Sequence, residues 1–410
     1  MKINKHCFPN GLRLVHYEDT STQMVALNIV YDVGARDEHP EHTGFAHLFE
    51  HLMFGGSAHI PDYDTPLQLA GGENNAWTNN DITNYYLTVP KPNVETAFWL
   101  ESDRMLELAF SEQSLEVQRG VVMEEFKQRC LNQPYGDVGH LFRPLAFRVH
   151  PYRWPTIGKE LSHIEQATLD EVKSFFYRFY APNNAVLAVT GNISWDETVK
   201  LTEKWFAPIP RRDVPVRQLP QEPEQTQERR LTVERNVPLD ALFMGYHMCS
   251  REGADYYAFD ILSDILSNGR SSRLNRRLVQ EQNIFSGIDA YISGTRDAGL
   301  LQISGKPAAG VSLEQAEAAV WEELDRLQQE LVSEQELEKV KNKFESTQIF
   351  GNINYLNVAT NLAWFELLGR AESMEREVER YRSVTAGQLQ AVAQSAFRRE
   401  NGVILYYKSK

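Results

Sequence analysis

Cysteine is scarce: Cys7, Cys130 and Cys249 are the three thiols in 410 residues. They stand far apart in the sequence, which excludes a disulfide framework and fits reduced, structural thiols. Long apolar runs are also missing. No stretch approaches the run of about 18 apolar residues that a membrane-spanning helix needs, and the opening residues Met1 to Gly11 lack the apolar core and cleavage site of a secretory signal. A cytoplasmic protein with no membrane partner is the expectation. Positive charge is short too, with 42 Lys and Arg against 56 Asp and Glu and a net charge of −14. Phosphate binding asks for a basic face, so no nucleic-acid partner is expected. What is present is an ordinary soluble mixture, 42% hydrophobic and 24% charged, in a chain long enough for two or three domains with real cores.

The most informative stretch runs from Gly44 to Gly56 and reads as one amphipathic helix closed by Gly55 and Gly56. It carries the pattern His47-x-x-Glu50-His51. Residues three and four apart share a helix face, so two imidazoles can point at one spot with the Glu50 carboxylate beside them. Zn²⁺ takes neutral imidazole and carboxylate ligands, and a catalytic site uses three protein ligands and keeps one position for water. Bound water acidifies from a pKa of about 15.7 towards about 7, and a carboxylate outside the ligand set can shuttle its proton to a leaving amine. Glu50 has the place for that role. His-x-x-Glu-His is the inverted form of the His-Glu-x-x-His zinc-protease motif.

One helical turn cannot surround a tetrahedral ion, so a third ligand must come from elsewhere. Leu115 to Arg129 reads as a helix whose apolar face, at Val121, Val122 and Met123, is followed by Glu124 and Glu125. Either glutamate can reach inward, and periodicity does not choose between them.

These motifs resemble the peptidases of the pitrilysin, insulin-degrading-enzyme and mitochondrial-processing-peptidase superfamily (family M16), and by length the short two-domain bacterial-type subunits. There the inverted motif is followed further down the chain by a glutamate that completes the zinc shell. Matching Gln118-Arg119-Gly120-Val121-Val122-Met123-Glu124-Glu125 to that run implies Glu125 as the ligand, one zinc per chain, and a glutamine, Gln118, where the family has its first, activity-supporting glutamate. The resemblance also implies a substrate strand. Glu73 to Pro90 reads as two strands around the turn Asn79-Asn80-Asp81, and Asn75, Ala76, Trp77 and Thr78 match the family's exposed edge strand, to which peptide substrates add by backbone pairing.

The chain around the motif is α+β. Residues 11 to 36 alternate as strands and read as a hairpin leading into the metal helix; 91 to 112 and 114 to 131 read as helices; Leu169 to Tyr180 and Asn184 to Gly191 read as a helix and a strand. Prolines 208, 210, 215, 220 and 223 mark a semi-rigid connector. The expected division is a zinc-binding domain 1–208, a linker 209–228 and a C-terminal repeat 229–410.

The second half echoes the first. Laying Gly269 on Gly56 places Asp260, Ser263 and Asp264 where His47, Glu50 and His51 stand, and towards the ends of the halves a separate match of Leu169 to Val189 with Ala386 to Tyr406 sets Asn401 on Asn184. The resemblance implies two homologous halves, each a mainly antiparallel sheet packed with helices, with only the first half binding metal. His150, in a His-Pro-Tyr loop that the family places beside its active site, is not expected as a ligand.

Family members active alone carry an arginine followed by a tyrosine in the second half. Here Val279 and Ser286 fall at those positions and neither donates to an oxyanion as Arg and Tyr do; Tyr291 lies nearby. Arg270, Arg273, Arg276 and Arg277 form a basic face.

The expected function is a zinc endopeptidase acting on peptides or unfolded segments inside a two-chain chamber. The partner is a second copy or a zinc-less homologue that supplies Arg and Tyr. The alternative is a non-proteolytic structural or assembly subunit on the same fold. The ligands leave Mn²⁺ and Co²⁺ open as occupants.

Overall fold

The computed structural model describes all residues, Met1 to Lys410. Two compact units divide the chain, and neither is contiguous. The first comprises residues 1–131, 154–219 and 349–376; the second comprises 132–153, 220–348 and 377–410.

The first unit is built on a six-stranded sheet of β1 (Ile3–Cys7), β2 (Arg13–Glu18), β3 (Met24–Tyr31), β4 (Glu73–Thr78), β5 (Thr83–Pro90) and β6 (Ala185–Gly191), in the order β1-β2-β6-β3-β5-β4. All neighbours are antiparallel except β2 and β6. The expected hairpin of β2 and β3 does not form. The wholly buried, apolar β6 enters between them, as a strand with no polar face must take a central place. Period-two alternation gives the sheet two buried faces. Leu14, Leu27, Ile29, Leu187 and Val189 join the core under the helix Phe45–Leu52, while Val15, Ala26, Val30, Val186 and Ala188 pack against the helix Tyr355–Leu367.

The second unit has β7 (Arg229–Arg235), β8 (Ala241–Met248), β9 (Phe285–Ile292), β10 (Gly299–Pro307) and β11 (Gly402–Ser409) in the order β7-β11-β8-β10-β9, with β7 and β11 parallel. That is the order of the first sheet without β1. Asn184 donates to Phe179 O and Asp32 O, and Asn401 donates to Ala396 O and His247 O, so the paired asparagines tie a strand start to the preceding helix in both units. The helix Tyr256–Ser267 replaces the metal motif by structural contacts. Asp260 accepts the Tyr381 hydroxyl at 2.5 Å, and Asp264 lies 3.4 Å from Lys343.

The duplication also explains the discontinuity. The helix Val138–Ala146, from the N-terminal half, covers one face of the second sheet against Leu300, Val403 and Leu405. The helix Tyr355–Leu367, from the C-terminal half, covers the matching face of the first. A contiguous 1–208 and 229–410 division therefore differs from the compact units by these two exchanged segments, whose apolar faces are completed by a sheet far away in sequence.

Residues 210–226 have no regular secondary structure, and the boundary at Leu219 and Pro220 falls among them. The connector is pinned within each unit, by Arg217 to Asp32 and Asp37 on one side and by Glu222 to the amides of Arg148, Val149 and His150 on the other. No helix is long and apolar enough to cross a membrane.

Candidate metal centre

Gly44 starts the motif helix in the left-handed region at φ 89°, and a Cβ there would stand 2.7 Å from Ile164 Cδ1 and 2.9 Å from Ile157 O. Only glycine fits so tight an entry. The first amides of the helix are taken by Glu38, whose two oxygens accept from Gly44 N at 2.9 Å and Ala46 N at 2.8 Å. Phe45, Ala46, Leu48, Phe49 and Leu52 are buried, so packing fixes the rotation of the helix and with it the direction of His47 and His51.

The helix Glu112–Phe126 is capped by Ser111, whose hydroxyl accepts from Ser114 N. Leu115 and Val122 anchor it in the same core. Of its two candidate glutamates, Glu124 is 57% exposed and sits 3.7 Å from Lys127. Glu125 is 20% exposed and turns to the imidazoles, its Oε2 lying 3.4 Å from His47 Nε2 and 3.4 Å from His51 Nε2. One potential ligand atom from each of the three residues lies within 4.8 Å of the others. Residues far apart in sequence thus meet at one point.

Charge is arranged to suit a cation. Burial lowers the pKa of His47 to about 4, which keeps its imidazole neutral and its lone pair available at neutral pH. The His51 and His47 rings facing it, with the Arg129 guanidinium, hold Glu125 below the usual carboxylate range against its partial burial. Two imidazoles, one of them held neutral by burial, and a carboxylate are a donor set that fits Zn²⁺. The buried His47 Nδ1 makes no hydrogen bond, so packing rather than a polar partner orients that ring. His51 meets it edge-on with ring centroids 5.0 Å apart.

Glu50 stands outside this triad. Burial pushes its carboxyl up, with a contribution from Glu125, while Thr78, His51 and Arg129 pull it down. Thr78 ends β4, the outer strand of the sheet, which pairs only with β5. Along β4, Asn75 and Trp77 are exposed, the latter at 36%, and Ala76 and Thr78 are half-buried. The Ala76 amide donates to Asn75 Oδ1 at 2.8 Å, so it points away from β5 along the open edge.

The other sequence-marked residues lie elsewhere. Gln118 sits on the helix Glu112–Phe126 near Gly55. Val279 packs against the core of the second unit, and the Ser286 hydroxyl donates to Lys306 O at 3.1 Å. Tyr291 is exposed on β9. His150 accepts the Tyr152 amide on Nδ1 and faces Asp297; it is not part of the metal-competent cluster. The sequence reading missed Arg129 and Glu38. Arg129 Nη2 reaches Glu125 Oε1 at 2.8 Å, a contact signalled only by the i,i+4 spacing, and nothing in the spacing marks Glu38 as the acceptor for the motif helix.

Two family models match the chain: Insulinase (Peptidase family M16) over residues 13–137 and Peptidase M16 inactive domain over residues 166–344. The chain belongs to the M16 peptidase family. Among its relatives, the zinc protease PqqE of Helicobacter pylori is 28% identical over 81% of this chain and 76% of its own length. The uncharacterized zinc protease YmxG of Bacillus subtilis is 24% identical over 98% of each. In three dimensions the chain superposes on a protease from Helicobacter pylori with a TM-score of 0.94, 26% identity and 99% coverage of both chains. It shares the fold of a Pseudomonas fluorescens peptidase M16 inactive domain, at TM-score 0.91 and 16% identity over 100% of this chain and 99% of that one. The M16 relationship thus extends over both units, and the zinc-protease name is carried by relatives that span most of the chain.

Proposed function

We propose that this M16 chain is a zinc-dependent endopeptidase that hydrolyses peptides or unfolded segments held as an added strand on β4. The observation that carries the reading is the convergence of His47, His51 and Glu125 with Glu50 beside them. His47, His51 and Glu125 would hold the ion. When bound, Zn²⁺ supplies Lewis acidity, lowering the pKa of a coordinated water and polarising the scissile carbonyl.

The residues of the chain do the rest. The open edge of β4 offers backbone donors and acceptors that bind an extended peptide with little regard to its sequence. Thr78, at the end of that strand, stands on the Glu50 side of the substrate edge and favours the ionised carboxylate there. Glu50 takes the proton of the attacking water and delivers it to the amine nitrogen as the peptide bond breaks. Its raised pKa suits a group that must both accept and return a proton.

Glu50→Gln keeps shape and removes the base. Cleavage of a peptide panel by the variant should fall by at least about 100-fold with zinc content unchanged; full zinc-dependent cleavage would rule the mechanism out.

Val279 is engaged in a core and the Ser286 hydroxyl is spent on a carbonyl, which supports a two-chain active form. The partner is a second copy or a zinc-less homologue that brings Arg and Tyr to the substrate carbonyl. The same two residues, with Gln118, favour the second reading, an assembly subunit without proteolysis. A scaffold has no need of stoichiometric zinc, which separates the two.

A further inference from the structure

The basic face that hydrolysis leaves unused closes over a pocket of about 600 Å³, lined entirely by residues of the second unit. That volume is within the range of about 300 to 1,000 Å³ typical of small-molecule sites. Arg273, Arg276, Arg277, Arg326 and Lys339 line it against Glu323, Glu330 and Glu336. Five cations against three carboxylates leave a surplus of two positive charges, in a chain whose net charge is −14.

The charges form two layers. Within the wall, Arg273 makes a forked pair with Glu336, at 3.0 and 2.8 Å. The buried Glu323 takes Arg277 at 2.8 Å. These pairs neutralise each other and fix the floor.

The outer cations are held loosely. Arg276 is 59% exposed, and its carboxylate neighbour Glu281, 3.4 Å away, is as open to water. Arg326 stands 3.7 Å from a Glu323 already engaged by Arg277. Lys339 Nζ donates to Ser271 O and Oγ, both uncharged. Exposed contacts of this kind contribute little and exchange readily for a stronger partner. The helix Glu334–Gly351 begins at the pocket rim, where Ser333 and Gln335 line it, but Ser333 Oγ already accepts the Glu336 amide, so the attraction for an anion rests on the side-chain cations.

We propose that this pocket binds a small, multiply charged phosphate anion, with Arg276, Arg326 and Lys339 as direct contacts on the floor built by Arg273 and Glu336. Guanidinium forks and an ammonium suit tetrahedral oxyanions better than a lone surface charge does. This reading is independent of the metal centre.

The test is calorimetric titration of the zinc-loaded full chain with inorganic triphosphate at low salt, with orthophosphate in a parallel arm. Saturable binding of triphosphate is expected, tighter than orthophosphate and weakened by added NaCl. The exposed pair Arg276→Glu with Lys339→Glu should weaken it at least tenfold, with melting temperature and zinc content unchanged. Arg326→Gln is the second variant should the pair fail to fold, and it should weaken binding in the same direction. Binding of equal strength in these variants means the anion sits on the zinc or on another surface, and it overturns the proposal. Absence of saturable binding to the native chain overturns it equally.

Discussion

Arg129 holds the outer oxygen of Glu125 at 2.8 Å while lying 66% exposed, so the inner oxygen is left to face both imidazoles. Residues that orient a ligand from behind typically contribute 10- to 100-fold in metal affinity. Arg129→Ala should therefore weaken zinc binding by about 10-fold, measured by competition with a chromogenic chelator, and Arg129→Lys should recover part of the loss. Unchanged affinity in Arg129→Ala would assign the orientation of Glu125 to packing alone. Much of this site was legible from residue types. His47, Glu50 and His51 are read directly from helical spacing. The choice between Glu124 and Glu125 was not open to periodicity, because a helix on a protein surface can present either neighbour inward. It is settled in three dimensions by Leu115 and Val122, which seat the helix with Glu125 towards the imidazoles.

The element that links binding to chemistry is β4. Its outer edge is open, its last residue, Thr78, lowers the pKa of the neighbouring Glu50 carboxyl, and the Ala76 amide points along the edge rather than into the sheet. Proline at position 76 removes that donor while sparing the ladder to β5, as edge strands tolerate. Ala76→Pro is expected to lower kcat/KM for peptide cleavage by about tenfold, equal to about 1.4 kcal/mol of lost transition-state binding, with zinc content unchanged. Undiminished kcat/KM would mean that substrates do not pair with this edge. Strand alternation found β3, β4, β5 and β6 correctly, but adjacency in sequence misled the pairing of β2 with β3. The uniform burial of β6 carries the missing information, since a strand with no polar face belongs between two others.

At the scale of the molecule, the two halves of the sequence are not the two units of the fold. Each half lends one helix to the sheet of the other, and each sheet would otherwise expose an apolar face, such as Val15, Ala26, Val30, Val186 and Ala188 in the first. The fragments 1–208 and 229–410 expressed separately should aggregate or bind a hydrophobic dye, and co-expression should restore a soluble pair. Independent, well-folded fragments would contradict that dependence. The duplication itself was legible from the glycine and asparagine registers. The exchange was not, because an amphipathic helix does not record which sheet it covers.

All of these scales meet in one geometric statement, that His47, His51 and Glu125 together hold a zinc ion beside Glu50. Anomalous diffraction from zinc-loaded crystals, recorded at the zinc absorption edge, tests it most directly. A single peak in contact with those three side chains is the expected result; a peak on other residues, or none at full zinc loading, would contradict the account.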